Sequence, residues 1–183
     1  MTAALRAAGE RGYGSLSVAE VVRRSGESEG EFHAHFQDVR DCFAAAYAAE
    51  AGRLVGRLLD AASAQSSWRE GLRAALGELA AFVIADPPLA RALVIDVHVA
   101  GSPATEHRAE LIEQLSRVID RGRRKEDGRG SPPPLTAPLM VGAIEAAIVS
   151  ALVGGEPQSF ARAVPELEQL IVAAYMPHDP ERS

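Results

Sequence analysis

Two serines, Ser17 and Ser28, each stand three residues ahead of a glutamate, Glu20 and Glu31, and Gly26 lies between the two pairs. A hydroxyl and a carboxylate at that spacing satisfy the orphan backbone amides of a helix start reciprocally, so each pair marks an N-terminus. A glycine just past a short helical run accommodates the left-handed backbone that ends it. The segment SLSVAEVVRRSGESEGEFHAHF, residues 15–36, therefore predicts a helix over Val18–Arg24, a turn at Ser25–Gly26 and a second short helix behind Ser28. These are the dimensions of a helix-turn-helix, in which the second helix enters the major groove of a duplex.

The same punctuation continues along the chain. Ser67 and Glu70 repeat the capping pattern, Asp86-Pro87 and Ser102-Pro103 each place a capping side chain ahead of a proline, and Asp38 predicts a long helix from Val39 to about Ala62. Alanine and leucine dominate between these starts, and β-branched residues follow helical periods rather than alternating. The chain reads as all-α.

Leu72, Leu76, Leu79 and Val83 form one apolar stripe, and Leu111, Leu115, Val118 and Gly122 form another. Residues 89–101, LARALVIDVHVAG, are apolar nearly all round and predict a core helix. Residues 122–134, GRRKEDGRGSPPP, predict a mobile loop, and the neighbouring cations Arg121, Arg123, Arg124 and Lys125 read as complements to a helix C-terminus. The segments 139–155 and 160–176 carry more apolar face than one subunit can cover. They predict a homodimer interface built as a four-helix bundle, with Pro165 either kinking the second segment or marking its start.

Composition narrows the function classes. A single cysteine, Cys42, excludes an internal disulfide, and the absence of a signal peptide or a long apolar run predicts a cytoplasmic protein with no membrane role. There is no phosphate-binding glycine loop, no HExxH and no cysteine pair, so no enzyme, no cofactor and no metal site is expected. Cys42 beside Phe43 reads as core. The net charge of −6 repels phosphate globally, and residues 1–50 hold five arginines against eight carboxylates, a balance of −3.

The stretch AALRAAGERGYGSLSVAEVVRRSGESEGEFHAHF followed by DVRDCFAAAYAAE resembles the TetR family of one-component transcriptional regulators. The matching features are the ERGY turn, the Ser-Val start of the second helix, Gly26, Ser28, Gly30, Phe32 and the closing His35-Phe36. The resemblance implies a helix-turn-helix domain over 1–38, with its first helix shortened, and a larger helical ligand-binding and dimerisation domain over 39–183. By this alignment Met1 falls inside the first helix, so the usual basic arm would be upstream or missing. Family members regulate genes in response to a small molecule, which implies a ligand-responsive DNA-binding homodimer, a repressor, whose helix 39–62 shifts when an effector binds.

Carried over by position, Ser17 contacts phosphate, Ser28, Glu31 and His33 lie on the reading helix, and His35 and Arg40 touch the DNA backbone. Phe32, Phe36 and Phe43 hold the small domain together. The chain departs from the family in the acidic run Glu27, Glu29 and Glu31, and a carboxylate there is suited to reading a cytosine amino group. The alternative is a dimer of the same fold that has lost DNA binding and serves as a small-molecule or protein-partner module. In the larger domain, Trp68, Phe82 and Met140 are candidate apolar walls of an effector pocket, and Asp96, His98 and Glu145 its candidate polar groups.

Overall fold

The computed structural model describes residues 2–127 and 133–175, and every regular element among them is helical. Three short helices, α1 (Thr2–Arg11), α2 (Val18–Ser25) and α3 (Glu29–His35), lead into a long α4 (Val39–Ser63). The body continues with α5 (Trp68–Ala85), α6 (Pro87–Val94), α7 (Ser102–Asp127), α8 (Thr136–Val153) and α9 (Gln158–Tyr175).

The caps at Ser17, Asp38, Ser67 and Asp86 act where the sequence places them, whereas Ser102 lies within α7 and its hydroxyl donates to Glu106. Ser17 Oγ accepts from the Glu20 amide at 3.3 Å, Asp38 Oδ1 from Asp41 at 2.9 Å, Ser67 Oγ from Glu70 at 3.2 Å and Asp86 Oδ1 from Leu89 at 3.1 Å. Gly26 ends α2 with a φ of 78°, a conformation that a side chain disfavours. Phe32 and Phe43 are fully buried and Phe36 packs against the same core. Cys42 is buried beside them, and burial pushes its thiol up to about 11, which leaves it unreactive.

Two expectations are corrected and an open one is narrowed. Residues 89–101 are not one core helix: α6 ends at Val94, a single 3-10 turn follows over Asp96–His98, and His98 and Val99 are exposed. The predicted loop at 122–134 does not begin at Gly122, because α7 runs on to Asp127; residues 128–132 of that loop lie outside the described residues. A lone glycine followed by RRKED lowers helix propensity without breaking it. Pro165 neither starts α9 nor ends it but sits inside the helix, where it removes one backbone hydrogen bond.

Helices α4, α5, α7 and α8 surround an interior space, and α6 closes one side of it. Glu168 of α9 fastens α9 to α5: buried to 6% exposure, it accepts from Arg73 twice at 2.8 Å and from Arg69 at 3.2 Å. The arginines hold its carboxyl below the ordinary range, Arg73 foremost. On the outside, α8 and α9 leave Leu139, Val153 and Leu170 at 60% exposure or more. By length and composition α8 is apolar enough to cross a membrane, with only 22% of that stretch buried.

Candidate DNA-reading surface and effector cavity

Helix α3 stands free on the surface. Apart from the inward Phe32, its residues Glu29, Gly30, Glu31, His33, Ala34 and His35 are all exposed. The two histidines are held by rings behind them, His33 edge-on to Phe32 at 5.3 Å and His35 tilted against Phe36 at 6.3 Å. Ser17 is exposed at the start of α2, and its hydroxyl keeps a free proton while its oxygen caps the helix.

Two of the expected reading residues are occupied with each other. The Glu31 carboxylate accepts from the Ser28 amide at 2.7 Å and from the Ser28 hydroxyl at 2.8 Å, while Ser28 Oγ accepts from the Glu31 amide at 3.2 Å. These bonds, the backbone one first, hold the Glu31 carboxyl below its ordinary range. Ser28 and Glu31 thus build the start of α3 through one carboxylate oxygen, Oε2, and the Ser28 hydroxyl. The exposed ionisable side chains around α3 are Glu27 before it, Glu29, Glu31, His33 and His35.

The arginines near this helix are gathered rather than scattered. Arg11, Arg23 and Arg24 converge on Glu20, with Arg23 at 2.7 Å and Arg24 at 2.5 Å, and Arg24 also reaches Glu10 at 2.5 Å. Three guanidiniums against two carboxylates leave a net positive patch at the α1–α2 junction. The bonds from Arg23 and Arg24 pull the Glu20 carboxyl down to about 2, so the patch keeps its composition across the physiological pH range. Arg40 is exposed at the start of α4, where it meets the Tyr13 hydroxyl and runs past the Gly101 backbone.

The small unit is fastened at three points to α6, its cap and the turn that follows it. A Cβ on Gly9 would stand 1.8 Å from the Pro88 carbonyl oxygen, so α1 and α6 touch backbone to backbone. Arg6 Nε pairs with Asp86 Oδ2 at 2.7 Å, and the Tyr13 amide donates to Asp96 Oδ1 at 3.0 Å. Asp96, expected in the pocket, is instead this buried strut; only 3% exposed, its carboxyl is pushed up by burial against the pull of the Tyr13 amide and Arg91.

The cavity inside the larger unit measures about 870 Å³, near the upper end for small-molecule sites. Its walls are almost wholly aliphatic: Leu54, Leu58 and Leu59 of α4, Leu72, Leu76 and Leu79 of α5, Leu93 and Val94 of α6, Leu111 and Leu115 of α7, and Ile144 and Ile148 of α8. Trp68 and Glu145 take the expected places in the wall. Phe82, Asp96, His98 and Met140 do not: Phe82 is buried elsewhere under the Arg57 guanidinium, and Met140 packs against the core. Sequence reasoning missed Arg108 and Tyr47. Arg108 lies three residues ahead of Leu111 on the stripe already recognised, and that spacing is the signal that points to it. Its guanidinium pairs with Glu145 across α7 and α8.

An exposed helix-turn-helix fastened to a helical body with an apolar cavity is the architecture of a one-component transcription regulator. Residues 1–46 match the family model of the bacterial regulatory proteins, tetR family, so the resemblance to TetR regulators holds for the whole helix-turn-helix. Among solved structures, the regulator FadR from Bacillus subtilis in complex with stearoyl-CoA superposes with a TM-score of 0.82 at 14% identity, covering 94% of this chain and 96% of its own. The fatty acid degradation regulator FadR from Bacillus halodurans gives 0.81 at 16% identity, with 93% and 95% covered. A transcriptional regulator from Rhodococcus sp. Rha1 gives 0.77 at 24% identity, with 93% of each chain covered. These likenesses show that the chain shares the fold of those structures over nearly its whole length. No curated protein matches the chain by sequence.

Proposed function

We propose that this chain is a ligand-responsive DNA-binding transcriptional repressor that works as a homodimer in the cytoplasm. Residues 1–38 form the DNA-binding unit and residues 39–183 the ligand-binding and dimerisation unit. Ser17, His33, His35 and Arg40 face the duplex, with Ser28 and Glu31 shaping the helix that carries the histidines. The α8 and α9 faces around Leu139, Val153 and Leu170 pair with a second copy, which accounts for the apolar exposure of α8 without a membrane. No catalytic role is assigned.

The observation that carries this reading is the path through α6. Its last residues, Leu93 and Val94, line the cavity, and its first, Asp86 as cap and Pro88, grip α1. A molecule that binds one position of α6 better than another shifts the placement of the helix-turn-helix by that difference in affinity. The stearoyl-CoA of one solved neighbour supports a molecule with a long aliphatic chain as the effector, without deciding its head group.

The second reading is a dimer that has lost DNA binding, favoured by the exposed carboxylates Glu27 and Glu29 on the reading surface. Fluorescence anisotropy with the DNA flanking its own gene separates the two. A regulator loses affinity by about 0.9 log unit per log unit of salt for each phosphate neutralised. A salt-insensitive or absent signal favours the second reading.

A further inference from the structure

The cavity walls hold two charged side chains, Arg108 and Glu145, and they are paired with each other. The wall as a whole is therefore neutral. Tyr47 sits at the same end, close enough to feel both charges, and burial raises its hydroxyl so that it stays a neutral donor. From this end the cavity follows α4 to Ala62, about 22 Å at 1.5 Å per helical residue, with only aliphatic side chains along α4 between. It finishes under the turn formed by Ser63, Gln65, Ser66 and Ser67, most of which are exposed.

The shape and charge together select a ligand. A carboxylate added at Arg108 would set two carboxylates on one guanidinium, and a cation added at Glu145 would set two cations on one carboxylate; either gives the apolar wall a net charge that nothing in it balances. An uncharged group that both accepts and donates meets the pair without breaking it. Arg108 Nε is buried with no hydrogen-bond partner, so an acceptor oxygen is what this end is short of. At the opposite end the described lining residues are the uncharged Ser63, Gln65, Ser66 and Ser67, so a polyanionic head meets no cation in the cavity wall there.

We propose that the effector is an elongated, uncharged amphiphile, with an aliphatic body along α4 and a hydroxyl or amide end bonded at Arg108, Glu145 and Tyr47. This rests on the effector reading of the cavity given above, but its test does not pass through DNA. The chain's single tryptophan, Trp68, lines the cavity, so its fluorescence reports occupancy directly. Dodecan-1-ol, dodecanamide, dodecanoate and dodecanoyl-CoA are titrated below their micelle concentrations at pH 8.

The expected result is a Kd for the alcohol and the amide at least tenfold below those of dodecanoate and dodecanoyl-CoA. In Glu145→Ala, which frees Arg108, dodecanoate gains tenfold or more and overtakes the alcohol. Should that variant fail to fold by circular dichroism, Glu145→Gln keeps a hydrogen-bonding side chain beside Arg108, removes the charge, and is expected to give the same reversal. The proposal is overturned by wild-type binding of dodecanoate or dodecanoyl-CoA as tight as that of the alcohol, by no binding of any probe, or by an unchanged order of preference in the folded variant. A chain that binds the alcohol yet never binds its upstream DNA fails only as a regulator.

Discussion

Gly9 of α1 faces the carbonyl of Pro88 at the start of α6, with room for a hydrogen and for nothing larger. The approach joins the DNA-reading unit to the helix that walls the cavity. A glycine inside a helix costs about 1 kcal/mol against alanine, and here the contact is what that cost secures.

Gly9→Ala is accordingly expected to destabilise the protein rather than stabilise it, although alanine is the better helix former. Displacing α1 from α6 costs about 1–3 kcal/mol, the range for overpacked sites. Urea denaturation measures this. Effector-induced release of DNA should weaken in the same variant even where DNA binding alone survives.

Ser28→Ala removes the hydroxyl from the capping box at the start of α3, with the bond it accepts from the Glu31 amide and the one it donates to the Glu31 carboxylate, while the backbone amide of residue 28 still reaches that carboxylate. The expected loss is about 1 kcal/mol, read from denaturant midpoints. Because Glu31 has its folded pKa below the unfolded one, its contribution is present above the unfolded value and disappears as pH falls through the folded value. The gap between wild type and Ser28→Ala should therefore narrow in acid.

Asp96 has the opposite sign. Its folded carboxyl is raised by burial, so its ionised form costs stability at neutral pH, and that cost fades as pH falls through the folded pKa. Asp96→Asn keeps an acceptor for the Tyr13 amide and is expected to match or exceed wild-type stability at pH 7, with the two converging in acid. Asp96→Ala leaves that amide without its acceptor and should lose about 1–3 kcal/mol. Thermal melts at pH 5 and pH 7 distinguish the three proteins.

Glu168→Ala should loosen α9 from α5. The cost is expected at about 1–2 kcal/mol, below that of a fully buried pair, because Arg69 and Arg73 reach water once released. Its stabilising effect is present above the unfolded carboxyl pKa and is lost as pH falls through the depressed folded value. Denaturant midpoints followed from pH 7 downward check both statements.

Leu139→Glu with Leu170→Glu places charge on the outer faces of α8 and α9. Sedimentation is expected to show a monomer of half the wild-type mass, and affinity for a two-half-site DNA should fall more than tenfold, since the second reading helix is lost.

The helix starts were legible because capping is a local matter: Ser17, Ser28, Ser67 and Asp86 each reach only three residues along the chain. So was the apolar stripe of α5 through Leu72, Leu76 and Leu79, though that it walls a cavity comes only from the helices packed around it. What escaped was set by distant partners. Asp96 looked like a pocket residue until Tyr13, eighty-three residues away, was found donating to it. Phe82 and Met140 are apolar at helical spacing, but spacing alone does not say which of two apolar surroundings a side chain enters. Glu31 shows the reverse case, a capping partnership with Ser28 that the three-residue spacing alone foretells.

Asp86 divides its carboxylate, one oxygen holding the first turn of α6 and the other holding Arg6 of α1. If α6 draws back from α1, this residue has to surrender either its own helix or its neighbour. A displacement that starts among the leucines of the interior thus reaches the first helix of the chain through a single carboxylate, the hinge pin on which both helices hang.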